Sequence, residues 1–273
     1  MDLNTITAFE RPKTREALPT WRTGDAFLAG GTWLFSEPQP ALTRLIDLST
    51  LGWQPLRATD AGLEIAATCT IAQLDALTAP PSWTAAPLIG QCCRAFLASF
   101  KIWNVATVGG NICMSLPAGP MISLTSALDG ELVLWAPDGG ERRMRVADFV
   151  QGPVRNELKP GEIMRAIHLP AAALTRRTAF RQISLTNIGR SGALIIGTLD
   201  QSGAFVLTVT ASTPRPYQFD FRALPSSEAL AARIDDEIAG NWFDDIHGLP
   251  AWRRDMTLHF ARAILAELSE GLR

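Results

Sequence analysis

Apolar residues recur along this chain in two rhythms. Short, largely apolar or alternating runs predict β-strands: "RLIDLS" (44–49), "LEIAAT" (63–68), "ELVLWA" (131–136), "RRMRV" (142–146), "GEIMRAIHLP" (161–170), "TAFRQIS" (178–184), "GALIIGTL" (192–199) and "AFVLTVTAS" (204–212). Turn residues separate two pairs of these runs, Pro137-Asp138-Gly139-Gly140 and Asp200 to Gly203, so each pair reads as a hairpin. A slower rhythm predicts helices: one from Thr70, one around Cys92 in "APLIGQCCRAFLAS", one entered from Ser226 or Ser227, and one from Pro250 to Leu268. In the last, Trp252, Met256, Phe260, Ile264 and Leu268 recur every four residues and read as one buried stripe. Strands and helices in this mixture indicate an α+β chain. It divides into stretches of residues 1–57, 58–172 and 173–273, with no internal repeat or long linker.

Composition narrows the function. The chain has 273 residues, 47% of them hydrophobic, enough to build a substantial core. A net charge of −2 supplies no electrostatic footprint for nucleic acid or an anionic membrane. No apolar run approaches a membrane span, and "MDLNTITAFERPKTREA" lacks a signal-peptide pattern, so a cytoplasmic location is expected. The four cysteines, Cys69, Cys92, Cys93 and Cys113, have no CxxC spacing and read as reduced thiols rather than metal ligands. His168, His247 and His259 stand in unrelated contexts. Any redox or transfer chemistry would therefore come from a cofactor.

Two segments stand out against this background. "LAGGTWLF" (28–35) and "NVATVGGNICMSLPAGPM" (104–121) each place adjacent glycines beside a threonine, and neither contains a charged side chain. A pyrophosphate bound without lysine needs backbone N–H groups, and glycine lets the chain approach it closely. Gly30-Gly31 and Gly109-Gly110 are candidates for such cradles, with Thr32, Thr107 and Asn111 adding side-chain groups. Neither loop matches GxGxxG or a P-loop. From spacing alone, tight turns remain the alternative.

The motifs "LAGGT", "NVATVGGNI", "VADFVQG", "LKPGEIMRAIHLP" and "DDIHGLPAWRRDMTLHFARAIL" occur here in a distinctive order. With them the chain resembles, over essentially its whole length, the FAD-binding medium subunits of the molybdenum hydroxylases, the xanthine dehydrogenase and carbon monoxide dehydrogenase family. The resemblance implies a PCMH-type, vanillyl-alcohol-oxidase-like fold of two FAD-binding subdomains (1–57 and 58–172). A C-terminal α+β domain (173–273), like that of carbon monoxide dehydrogenase flavoproteins, would follow.

It also implies that Leu28, Ala29, Gly30, Gly31, Thr32, Trp33, Leu34 and Phe35 form one pyrophosphate loop. Ala106, Thr107, Val108, Gly109, Gly110, Asn111 and Ile112 would form the other. Met164 would lie along the isoalloxazine ring and Arg181 near it. Pro120 stands where many members carry a cofactor-contacting aspartate, and Trp33 where a small or polar residue is usual. The implied cofactor is non-covalent FAD, with Cys113 the nearest candidate for covalent attachment.

The implied function is electron transfer from the [2Fe–2S] clusters of a small partner subunit to NAD, oxygen or another acceptor. A large partner would hold the molybdenum cofactor. A flavin-deficient scaffold subunit is the alternative. The uncharged segment around Cys113, Met114, Leu116, Pro117, Pro120 and Met121 is expected to form part of a docking face.

Overall fold

The computed structural model describes residues 3–270. The chain opens with a small parallel sheet of β1 (Ala8–Glu10), β2 (Asp25–Leu28) and β3 (Arg44–Asp47), in the order β1-β3-β2. Strands this short bury little apolar surface, and an ion pair closes the unit. The Arg44 guanidinium grips the Asp25 carboxylate in a fork, Nε–Oδ1 2.8 Å and Nη2–Oδ2 2.5 Å, and also donates to the Thr20 carbonyl. Both side chains are buried. The hydrogen bonds from Arg44 hold the Asp25 carboxyl below the ordinary carboxylate range, against the opposing effect of burial.

β4 (Leu56–Thr59) and β5 (Gly62–Ala66) begin a second, antiparallel sheet, so a boundary at residue 57 falls inside a strand that already belongs to the second unit. Helices α1 (Ile71–Asp75), α2 (Ala86–Ala95), α3 (Phe100–Trp103), α4 (Val108–Met114) and α5 (Pro120–Ala127) follow. Thr70 starts α1 with a reciprocal capping box to Gln73. The hairpin β6 (Glu131–Trp135) and β7 (Glu141–Arg145) comes next, then α6 (Val146–Phe149) and a ribbon of β8 (Val150–Gly152) and β9 (Arg155–Asn156). β10 (Ile163–Pro170) enters the middle of the sheet, giving the order β4-β5-β10-β6-β7. The alternating Leu63, Ile65, Leu132, Leu134, Ile167 and Leu169 form the floor of one large core with Leu88, Ile112, Met121 and Leu124 of the helices. Arg15 ties the first unit to the edge of this sheet, its guanidinium 4.4 Å over the Trp135 ring and donating to the Gly140 carbonyl.

After α7 (Ala171–Leu174), strands β11 (Arg177–Ile183), β12 (Ala193–Leu199), β13 (Phe205–Thr210) and β14 (Tyr217–Phe221) form an antiparallel meander. Every residue of β12 is buried, because the strand has a core on each side. Leu194 and Ile196 join the core shared with α5, while Ala193 and Ile195 join a second one. That second core is closed by α8 (Ser227–Ile238), capped by Ser226, and α9 (Pro250–Ser269). Polar ties fasten the meander to α5 and the segment before it: Ser123 and Thr210 hydroxyls 2.7 Å apart, Gln218 donating to the Ser126 carbonyl, and Ala211 N–H donating to the Pro117 carbonyl.

The buried stripe of α9 differs from the one that spacing predicts. Arg253, Thr257, Ala261, Ile264 and Leu268 face inward, with Leu258 and Leu265, whereas Trp252, Met256 and Phe260 are half-buried. A strict four-residue repeat advances about 40° per step round the helix, so it cannot stay on one face for five residues. At the N-terminal end an arginine takes the inward place. Arg253, 1% exposed, donates to the carbonyls of Gly248 (2.9 Å), Gly192 (2.8 Å) and Ala211 and to the carboxylate of Asp245. Its neighbour Arg254 bridges to Asp235 of α8 through two bonds, at 2.7 and 2.6 Å.

Candidate cofactor cleft

The chain leaves the end of β2 at Leu28 and turns sharply through the first glycine pair. Gly31 has φ +68°, and a Cβ there would also lie 2.5 Å from the Phe35 ring, so only glycine fits. The turn is closed by Phe35 N–H donating to the Gly31 carbonyl and Ser36 N–H to the Trp33 carbonyl. Among the described residues, the N–H groups of Gly30, Gly31, Thr32, Trp33 and Leu34 donate to no protein acceptor. Five consecutive free donors in one turn form a ready site for an anion.

The second glycine pair is not a loop of the same kind. Residues 106–109 run beside residues 67–71: Ile71 N–H donates to Ala106, Val108 N–H to Cys69 and Gly109 N–H to Ala67. Thr107 then caps α4, its Oγ1 accepting from Gly110 N–H at 3.1 Å, and Asn111 N–H returns to the Thr107 carbonyl. The amides of Val108, Gly109, Gly110 and Asn111 are thus already used within the protein. The Asn111 Oδ1 accepts from Met121 N–H and fixes the side chain against the start of α5.

The two glycine pairs meet. A Cβ on Gly30 would lie 2.0 Å from the Val105 carbonyl oxygen, and one on Gly109 would lie 2.7 Å from the backbone of Ala67. Both are packing glycines that let three backbone segments touch. Gly110 differs: an added Cβ would meet only the Thr107 hydroxyl, at 2.9 Å. It lines the space between the segments, a cleft of about 640 Å³.

The cleft is lined by Leu28, Ala29, Gly30, Gly31, Thr32, Trp33 and Leu34 on one side and by Ala106, Thr107, Gly110 and Asn111 on the other. These are residues the sequence motifs select. Others so selected lie elsewhere, for identifiable reasons. Val108 and Ile112 are fully buried on the core side of α4, and Gly109 abuts Ala67. Phe35 projects to the outside beyond its turn, and Pro120 is the buried first residue of α5. Met164 lies on the helix-covered face of β10 and packs into the large core. Arg181, on β11, is paired with Glu267 of α9 at 2.6 Å and does not line the cleft.

Sequence reasoning missed the opposing wall of Phe96, Leu97, Ala98 and Ile102, together with Gln39, Leu42 and Val154. The signal was present: "FLASFKIW" carries apolar residues too closely spaced for a single helical face, and Leu97 and Phe100 are exposed. Cys113, Met114 and Leu116 also line the cleft, but Met121 is fully buried in the core and cannot take part in a docking face.

The lining carries no acidic, basic or histidine side chain. The Cys113 thiol is pushed up to about 12 by burial, so it stays protonated and is a poor nucleophile for covalent attachment. An anionic ligand would meet backbone dipoles and no ionic partner. No group of three or more potential metal ligands occurs among the described residues, and no helix there is long and apolar enough to cross a membrane.

Residues 9–172 match the family described as the FAD binding domain in molybdopterin dehydrogenase. The chain belongs to this family. Over its length it is also similar in fold to a carbon monoxide dehydrogenase chain from Oligotropha carboxidovorans, with a TM-score of 0.82 over 97% of this chain and 98% of that one, at 21% identity. Among curated relatives, the caffeine dehydrogenase subunit beta of a Pseudomonas strain is 28% identical over 98 residues, 36% of this chain and 33% of the relative. The xanthine dehydrogenase FAD-binding subunit of Escherichia coli O157:H7 is 33% identical over 114 residues, 41% of this chain and 37% of the relative. These sequence matches span little more than a third of each relative.

The cleft fits the family's cofactor. Five free amides suit the pyrophosphate of FAD, an open Gly110 leaves room opposite them, and the apolar wall suits a planar ring system.

Proposed function

We propose that this chain is the FAD-containing electron-transfer subunit of a multi-subunit molybdenum hydroxylase. It would work between a small partner subunit carrying [2Fe–2S] clusters and an acceptor such as NAD or oxygen, with a large partner holding the molybdenum cofactor. The observation that carries this reading is the run of free amides from Gly30 to Leu34, lining an uncharged cleft in a chain of the FAD binding domain family.

FAD, when bound, supplies reversible acceptance of one or two electrons. The chain's own residues do the rest. The amides of residues 30–34 bind the pyrophosphate and set its position along the cleft, while Gly110 permits close approach from the other side. Phe96, Leu97, Ile102, Met114 and Leu116 exclude water and lower the local polarity. Arg181 is engaged by Glu267, so no cation from the cleft lining stabilises negative charge on the cofactor.

An absorption spectrum of the purified chain, before and after acid precipitation, tests the reading. Yellow flavin released into the supernatant is the expected result. A colourless protein that still co-purifies with co-expressed partner subunits would favour the scaffold alternative. Flavin retained in the pellet would overturn non-covalent binding.

A further inference from the structure

Trp33 stands in the middle of the free-amide run, and its side chain lines the same cleft. It is the one tryptophan of the eight in the chain that counts among the exposed large hydrophobic residues, at 37%. The others have partners: Trp21 lies against Phe27, Trp53 against Trp135, and Trp103 Nε1 donates to the Phe96 carbonyl. Trp83 is buried, Trp252 packs over Gly192, and Trp242 joins the second core. Among the described residues Trp33 has no aromatic neighbour, and its indole N–H donates to nothing.

An indole is costly to leave in water, and this one lies beside a cavity whose opposite wall is Phe96, Leu97 and Ile102. In a dinucleotide each planar ring is separated from the pyrophosphate by a single sugar or sugar alcohol. An anchor at Gly30–Leu34 therefore places a ring within reach of Trp33. With no charge in the lining, stacking is the strongest side-chain contact the cleft offers such a ring.

We infer that Trp33 is a stacking platform that covers one planar ring of the bound dinucleotide and closes the mouth of the cleft. The inference rests on the FAD reading above and adds a positioning residue to it. The ring is the adenine or the isoalloxazine, both of which present an aromatic face.

Flavin-free protein is titrated with FAD, followed by tryptophan and flavin fluorescence, for wild type, Trp33→Phe and Trp33→Ala. FAD should quench a component of the tryptophan emission that both variants lack. Trp33→Ala should weaken FAD binding about tenfold, the effect of losing one aromatic stack, while Trp33→Phe keeps most of the affinity. Titrations with ADP and with FMN identify the ring: the ligand weakened by Trp33→Ala carries the stacked group.

FAD bound equally well by all three proteins, with unchanged quenching, would overturn the platform and leave FAD binding intact. A wild-type chain that binds no FAD at any concentration would remove both. Because Trp33 is exposed, its replacement should leave the melting temperature of the flavin-free protein unchanged, which separates loss of stacking from loss of fold.

Discussion

Gly30→Ala tests whether the two glycine segments form one site. The added methyl would stand 2.0 Å from the Val105 carbonyl oxygen, 2.8 Å from the Val105 carbonyl carbon and 3.2 Å from Ala106 Cα. All three are backbone atoms, so no side chain can rotate away. Reaching even a tight contact of 3.0 Å requires the segments to part by at least 1.0 Å (3.0 − 2.0). Overpacking of this kind costs about 1–3 kcal/mol, which for a chain of this size lowers the melting temperature by roughly 5 °C. The amides of residues 30–34 move with the loop. A displacement of about 1 Å in a positioning group can cost on the order of a hundredfold, and FAD affinity should fall by about that much.

Gly110→Ala is the control. Its methyl meets only a rotatable hydroxyl at 2.9 Å, so the fold should melt within about 2 °C of wild type while flavin content falls, because the methyl occupies cofactor space. Differential scanning fluorimetry of flavin-free protein and the flavin-to-protein absorbance ratio measure the two effects separately. If Gly30→Ala melted like wild type and kept full flavin, the contact between the segments would not set the site and the reasoning would fail.

Acid should act on the fold through two gripped carboxylates. Asp25 and Glu162 are both held below their ordinary range, chiefly by hydrogen bonds from Arg44 and Arg142. A depressed folded-state pKa gives stability that is complete above the unfolded-state value and is lost as the pH falls through the folded-state value. Urea midpoints should therefore fall as the pH drops below the ordinary carboxylate range, and Asp25→Asn and Glu162→Gln should each flatten that fall; an unchanged profile in both would refute the assignment. Arg253→Met should destabilise the chain by about 3–5 kcal/mol, because it strands the carbonyls of Gly192, Ala211 and Gly248 and the Asp245 carboxylate; a urea midpoint near wild type would contradict it. Met121→Glu should prevent folding, since that side chain is fully buried, whereas Met114→Glu at the cleft should leave the fold intact and reduce flavin content, as circular dichroism and absorbance would show.

The fold was legible wherever local pattern and burial coincide, and obscure where they part. A continuous apolar run marks β12 because that strand has a core on each side, so neither of its faces needs polar residues. Thr70 and Ser226 announced helix starts because a capping hydroxyl acts within three residues of itself. Spacing alone does not show the stripe of α9, because Arg253 looks like a surface residue until its acceptors, Gly192 and Ala211, are brought in from the ends of strands far away in sequence.

The glycine pairs show the same division at the candidate site. Both segments look alike as text: two glycines, a threonine, no charge. They differ in where their amides go, and that depends on the neighbouring segment. Residues 67–71 run beside the second pair and take the N–H groups of Val108 and Gly109, while Val105 and Ala106 abut the first pair without accepting its N–H groups. On the proposed reading the pyrophosphate anchor is the run of unpaired donors in "GGTWL", and the second motif contributes fit and spacing. A substitution that adds a backbone-compatible side chain should accordingly cost affinity through lost hydrogen bonds in the first motif and through lost room in the second. Thr32→Pro, which deletes one amide of the run, is the sharpest case: it should weaken FAD while leaving ADP and FMN in the same rank order, and an unaffected affinity would mean that the amides are not the anchor.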